Sequence, residues 1–342
     1  MITWGLRRRA VAAWSAVAVA SLLGLATSPV ASASPGSIIK FYGYQVAYDS
    51  STSALWTTGS DGTGNLNQGM WAGTNPSITD LASGNQIAYQ ANTSALWTTG
   101  PDGTGNLGLG MMPGTSPSIA EESNGDYTIA FQANTGDLWT YSRSGGAQDL
   151  GLPMNHASSP SIAALATGGI EIAYEDNMNT LEIIGADGFG SLSLGMAAGT
   201  SPSIAALTYG GWQIAFQANT GALWTTGSDG SGSTGLSMWP GSSPSIAPLP
   251  GGAYEAAIQA STGVLWTAGT NGTADLGLSM WKATSPSIAA LGNGDTEIAF
   301  EGSTGTLWID GADGTGDLGQ SMWEGTSPSI TALPVVATCT TC

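Results

Sequence analysis

The strongest constraint on this chain is an internal period. A Leu-Trp pair ends at Trp56, Trp97, Trp139, Trp224, Trp266 and Trp308, with Leu181-Glu182 in the place of a seventh, at spacings of 41, 42, 43, 42, 42 and 42 residues. A second marker, Ser-Pro-Ser-Ile or a near match, places its proline at Pro76, Pro117, Pro160, Pro202, Pro244, Pro286 and Pro328. A third, a Met preceded by Gly, Pro or Ser, falls at Met70, Met111, Met154, Met196, Met238, Met280 and Met322. Three markers agree on seven units, and a fixed period of this length specifies a repeat architecture.

The unit beginning at Ser201 divides into four short strands, over residues 203–207, 213–217, 222–226 and 235–239. Gly210-Gly211, Asn219-Thr220-Gly221 and Asp229-Gly230 supply turn residues between them, all of types that tolerate left-handed backbone. Composition excludes a helical alternative. The chain holds 51 Gly and 16 Pro, and only 9% of it is charged, whereas long soluble helices need abundant Glu, Lys and Arg. With 42% hydrophobic residues and 13 Trp it carries enough apolar surface to fold. Four strands per unit of about 42 residues predict an all-β fold, a seven-bladed β-propeller of four-stranded blades. A β-solenoid lacks such regular hairpins. The first strand has small or apolar residues on both faces, as crowding round an axis requires. The second sets Ile214 and Phe216 against Ala215, a large-against-small pattern that lets blades interlock.

One first-strand segment is surplus, because Ser34-Pro35-Gly36-Ser37-Ile38 precedes the first unit and Ser327-Pro328-Ser329-Ile330 follows the last. The C-terminal copy matches the consensus better. It is expected to close the ring, residues 328–333 pairing with 45–48, since closure leaves no exposed sheet edge. The expected division is a signal peptide over 1–33, the propeller over 34–334 and a tail over 335–342.

Arg7, Arg8 and Arg9, an apolar run over 10–25 and Ala31-Ser32-Ala33 have the form of a cleaved secretory leader. The run is too short to span a bilayer, so secretion without membrane insertion is expected. Cys339 and Cys342, in a chain bound for an oxidising compartment, are expected to form a local disulfide. Without the leader, Lys40, Arg143 and Lys282 stand against 24 acids, a net charge of −21 in place of −18. Three scattered cations cannot neutralise phosphates, which excludes nucleic acid as a partner.

Little in the sequence points to catalysis. His156 is the one histidine and reads as a surface loop residue; no G-x-S-x-G elbow is present. The Asp-Gly turns at Asp61, Asp102, Asp187, Asp229 and Asp313, with Asn271 in a sixth such place, lack calcium-loop spacing and read as hairpin turns. No metal site and no cofactor are expected. At the end of the second strand Asp49, Glu175 and Glu301 replace Gln90, Gln132, Gln217 and Gln259. That column reads as a hydrogen-bonding position within the blade, with a polar ligand pocket as the alternative.

Tryptophan occupies two kinds of position. In the Leu-Trp pair it recurs in six copies and reads as packing. After the repeated Met the residue varies, being Trp71, Met112, Asn155, Ala197, Trp239, Trp281 and Trp323 in turn, so the fold does not require it. An indole beside Gly and Ser suits a sugar ring, whose C–H groups stack on it. Trp71, Trp239, Trp281 and Trp323 are therefore the candidate ligand-binding residues, with surface filling as the alternative.

The unit order, a Pro-initiated strand, a hairpin such as Ile129-Ala130-Phe131-Gln132-Ala133-Asn134-Thr135-Gly136-Asp137-Leu138-Trp139, then a Gly-rich strand with Trp, resembles the seven-bladed propeller lectins of the PLL type, bacterial fucose-binding proteins. The resemblance covers residues 34–333 and implies ligand sites between adjacent blades. That family typically has arginine in the place of Gln132, and none of the seven copies here does. The units also resemble repeats of secreted actinomycete proteins. The expected function is a secreted, non-catalytic, multivalent carbohydrate-binding protein whose partners are glycans. The alternatives are a protein-binding or adhesive scaffold and, behind it, an exported polysaccharide-acting enzyme.

Overall fold

The computed structural model describes residues 38–334 and 336–339. Each blade is one antiparallel four-stranded sheet, in chain order except in blade 1. In the unit from Ser201 the strands are Ser203–Ala206, Trp212–Gln217, Ala222–Gly227 and Gly232–Ser237. Seven such sheets are present, and the first strand of each lies beside the first strands of both neighbouring blades. The fold is the expected all-β seven-bladed propeller. The leader and Cys342 lie outside the described residues, as does the side chain of Cys339, so the disulfide expectation does too. Ile38–Phe41 and Val336–Cys339 pair in a separate two-stranded sheet.

Closure follows the surplus segment. Ser329–Ala332 pairs antiparallel with Tyr44–Asp49, in the register Gln45 to Thr331, Val46 to Ile330 and Ala47 to Ser329. Blade 1 thus takes its innermost strand from the end of the chain and its other three, through Ala54–Gly59 and Gly64–Gly69, from the beginning.

The fourth strand differs from the sequence expectation. It begins at Gly232 rather than 235, because Gly235 lies inside the strand at φ 79°. The pairing register shifts between Ala222 and Trp224, and this bulge absorbs an extra residue. Ser233 Oγ accepts the Gly235 N–H at 3.2 Å. Asn65, Asn106, Asp149, Ser191, Asp275 and Asp317 do the same for the bulge residue of the other blades. A glycine inside a strand commonly marks such a bulge.

The Ser-Pro-Ser-Ile motif holds the ring together. An innermost strand presents N–H groups toward the axis with no further strand to receive them. Here the second serine of each motif accepts the Ile N–H of the next blade: Ile119 to Ser77, Ile162 to Ser118, Ile204 to Ser161, Ile246 to Ser203, Ile288 to Ser245, Ile330 to Ser287, and finally Ile78 to Ser329, all at 3.1–3.2 Å. The first position forms a second ring in the opposite sense. Its N–H donates to the side chain of the following blade, from Asn75 through Ser116, Ser159, Ser201, Ser243, Ser285 and Ser327 back to Asn75 Oδ1, at 2.7–2.9 Å. Proline between the two carries no N–H and so adds no donor needing a partner.

Between blades the large-against-small pattern holds. At the junction of blades 6 and 7, Ala247, Ala257, Leu265 and Met280 of one face pack on Ile288, Ile298 and Phe300 of the next, with Trp308 at the margin. The other junctions repeat this arrangement. Each repeated Met ends its blade's outer strand by bridging to the following blade, as Met280 does to Gly302, and Met322 bridges to Ser50 across the closure.

Deleting residues 327–342 removes a member of both hydrogen-bond rings together with buried Ile330. The melting temperature is expected to fall by about 10 °C or more in a thermal scan. An unchanged temperature would show that the N-terminal copy serves as the closing strand.

Candidate functional site

Antiparallel order puts the turn between the second and third strands on the same face of the ring as the end of the fourth strand. On this lower face the residue after each Met donates its N–H to the second strand of the following blade: Trp71 to Gln90 O, Trp239 to Gln259 O, Trp281 to Glu301 O and, across the closure, Trp323 to Asp49 O, each at 2.9 Å. The four candidate tryptophans are thus placed at equivalent blade junctions and are half-buried. Two of the rings lean over the next blade: a Cβ added at Gly263 would lie 3.5 Å from Trp239, and one at Gly305 3.9 Å from Trp281. Where the residue is Asn155, its amide donates to Asn179 Oδ1 at 2.7 Å instead. Beside Trp71 an open cleft of about 700 Å³ is lined by Thr52, Ser53, Asn67, Gln68 and Asn92. This is an aromatic wall facing hydroxyls and amides. Asn92 reaches the cleft from the following blade's turn, and nothing in the spacing of the sequence singled it out.

The Leu-Trp tryptophans differ from a full core assignment. The leucine of each pair is wholly buried, whereas its tryptophan is half-buried and packs on the rim of a junction cluster, Trp266 against the cluster holding Ile258 and Ala268. The rings of Trp97, Trp139 and Trp308 lie 6.3–6.5 Å from those of Tyr89, Phe131 and Phe300. Glu182 replaces the tryptophan in blade 4, and the junction of blades 3 and 4 contains none. His156 is exposed and sits over Gly136.

The column of Gln and acids is buried and ties down the loop bearing the variable residue. Gln90 Nε2 donates to Met112 O at 2.9 Å while its Oε1 accepts from Gly114 N at 3.0 Å. Gln132, Gln217 and Gln259 donate in the same way to the carbonyls of Asn155, Trp239 and Trp281. A second column, at the other end of the same strand, was not recognised in the sequence although it recurs at similar spacing. Gln45 and Gln213 there accept from Asp61 and Asp229 N–H and donate to Gly62 and Gly230 O. This fixes the Asp-Gly hairpins through the strand side chain. Among the described residues no cluster of metal-ligating side chains occurs.

Of the acids that stand in Gln positions, four keep half of the amide's pattern. Glu175 and Glu301 accept from Gly199 and Gly325 N–H, and Glu171 and Glu297 from Asp187 and Asp313 N–H, all at 3.0–3.1 Å. In every case the other carboxyl oxygen is buried without a partner. Burial pushes Glu175 and Glu297 up to about 7 and Glu301 up to about 8; Asp49, in the same column, rises to about 7 and Glu171 is raised as well. Glu171 and Glu175, like Glu297 and Glu301, are four residues apart on one strand, about 13 Å. That is wider than the roughly 5–9.5 Å between paired glycosidase carboxyls.

No protein-family model matches the chain, and no curated protein matches it in sequence. Solved structures match its fold. The AofleA protein of Arthrobotrys oligospora superposes at TM-score 0.54 with 12% identity, over 84% of this chain and 92% of that one. Aleuria aurantia lectin, in complex with Fucα1-6GlcNAc, gives 0.53 and 12%, over 72% and 95%. SapL1 lectin, in complex with α-methyl fucoside, gives 0.53 and 14%, over 75% and 98%. The Aleuria aurantia lectin is a six-bladed propeller, one blade fewer than here.

The raised carboxyls make stability depend on pH. The folded protein holds protons that the unfolded chain releases above about pH 4.5, so their contribution is full below that value and is lost as pH rises through 7–8. The melting temperature is expected to be higher at about pH 5 than at about pH 9, and replacing Glu175, Glu297 and Glu301 by Gln should flatten the profile; an unaltered slope would contradict it. Among the tryptophans, Trp266→Ala should destabilise by about 3 kcal/mol through lost packing on the junction cluster, and Trp281→Ala by about 1 kcal/mol, in chemical denaturation. Equal losses would erase the distinction between them.

Proposed function

We propose that this chain is a non-catalytic, multivalent carbohydrate-binding protein of the PLL propeller-lectin type, exported by its 1–33 leader, with Trp71, Trp239, Trp281 and Trp323 as the sugar platforms. The observation that carries this reading is the equivalent placing of four half-buried indoles at blade junctions on one face, the first beside a polar cleft. An indole face takes the C–H side of a sugar while amides and hydroxyls take its hydroxyl groups. Several weak sites on one rigid ring gain avidity on a glycan-coated surface. Lectins of similar fold whose structures contain fucosides support the same reading, although here the place where the family carries arginine holds only amides and acids.

A second reading, adhesion to a protein, is favoured by the exposed Met178, Phe189 and Tyr209, which are 79%, 63% and 83% accessible. Glycan-array binding competed by free sugar supports the first reading, and array silence with retained adhesion to protein surfaces the second.

Calorimetry with the best monosaccharide from the array should give at most about four sites, each weak, because a small ligand has few atoms with which to gain affinity. Met112, Asn155 and Ala197 offer no comparable aromatic surface. Replacing all four tryptophans by Ala should abolish binding while circular dichroism is preserved. Seven equivalent sites, or full binding by the quadruple variant, would remove these residues as the platforms.

A further inference from the structure

The polar column beneath the lower-face loops differs among the blades that carry a candidate platform. Behind Trp239 and Trp281 it is an amide: Gln217 Nε2 donates to Trp239 O at 3.0 Å and Gln259 Nε2 to Trp281 O at 2.7 Å. Behind Trp323 it is Glu301, and behind Trp71 it is Asp49. In blade 2 the full amide pattern is visible, oxygen to the Gly114 N–H and nitrogen to the Met112 carbonyl. Glu301 reproduces the first half, since Oε2 accepts from Gly325 N at 3.1 Å. Its other oxygen, Oε1, therefore stands in the place of the amide nitrogen, and it is buried without a partner.

The group that nitrogen serves in the other blades is the loop carbonyl, which an ionised carboxylate cannot serve. A carboxylate is acceptor-only, whereas a neutral carboxyl carries one O–H donor. The Trp323 carbonyl already accepts from Thr326 N–H at 3.1 Å and from Thr326 Oγ1 at 2.7 Å, so it is the Glu301 oxygen that an ionised carboxylate leaves facing another acceptor away from water. Asp49 is one methylene shorter, and neither of its oxygens has a partner, so the Trp71 loop has no such tie.

We propose that the residue ending each second strand is the positioning residue of the aromatic loop in front of it, and that Glu301 performs this task only in its protonated form. The Trp323 platform then depends on a proton, while the Trp239 and Trp281 platforms, held by amides, do not. Burial disfavours the charged form of Glu301 most, and Glu324, on its own loop, adds to this by disfavouring a second negative charge beside it. Lys282, on the loop whose Trp281 N–H donates to Glu301 O, is exposed; Asp49, whose backbone carbonyl receives the Trp323 N–H, is itself raised by burial. The consequence for recognition, a site that strengthens on mild acidification beside two that do not, rests on reading these tryptophans as sugar platforms. The positioning does not.

The test uses the whole protein without any sugar, labelled with 5-fluorotryptophan, its fluorine signals assigned by single Trp→Phe variants and followed from pH 5 to 9. The Trp323 signal is expected to titrate with one midpoint at about pH 8 while those of Trp239 and Trp281 stay flat. Glu301→Gln should abolish the titration and hold the signal at its low-pH position. Gln259→Glu should transfer a titration to Trp281. A flat Trp323 signal, or a titration that survives Glu301→Gln, whether carried by Glu324 or by Asp49, would overturn the proposal. Should Gln259→Glu fail to fold, the Glu301→Gln arm decides alone. Because no sugar is present, a Trp323 titration with a silent glycan array sinks only the lectin reading. A flat signal with a positive array sinks only the positioning.

Discussion

The N–H groups that the seven innermost strands turn toward the axis have no eighth strand to receive them, and two serine-based rings meet that need. A buried donor left without a partner costs about 1–3 kcal/mol, whereas a made hydrogen bond contributes about 1 kcal/mol net. Interrupting a ring at one blade therefore affects two. The dependence is circular in the literal sense: Ser327 donates to Asn75, and Ser329 accepts from Ile78, so the last repeat must lie beside the second for either ring to close. This accounts for the use of the C-terminal segment in blade 1 and for the recurrence of Ser-Pro-Ser-Ile in nearly unaltered form.

With the inner edge and the junction clusters holding the scaffold, the lower rim is left free to vary. The loop after each Met is anchored from behind by the backbone of the following blade and, in every blade but the first, by the buried amide or acid of its own blade. Its outward residue can then change from Trp to Met, Asn or Ala without disturbing the sheets. The same logic explains why the acids are tolerated. Glu171, Glu175, Glu297 and Glu301 each stand where an amide stands elsewhere and keep the bond to a backbone N–H, and burial favours their protonated form. A ring of nearly identical blades can in this way carry junctions of unequal chemistry.

Sequence and structure agree most closely where a physical requirement repeats. The blade count and the closing strand follow from markers that every copy needs. The fourth strand does not, because Gly235 looks like a strand-opening turn residue when read locally and is a bulge residue only in the presence of its partner strand. The serine rings were equally hidden, since each bond joins residues 41–44 apart, or 251 and 252 at the closure, and a motif read within one repeat shows no such partner. The column at Gln90 was legible as a hydrogen-bonding position. The amide-for-acid substitution acquired meaning only with the loop carbonyls in view. Burial also corrected a simple division of the tryptophans: both classes are half-buried, and what separates them is whether the ring meets a junction cluster or a turn of the next blade.

The most direct measurement is a crystal structure of the protein soaked with the sugar that binds best on a glycan array. The account predicts sugar density stacked on Trp71, Trp239, Trp281 and Trp323 at the lower rim, with none beside Met112, Asn155 or Ala197. Density elsewhere on the ring, or equal density at all seven junctions, would contradict it.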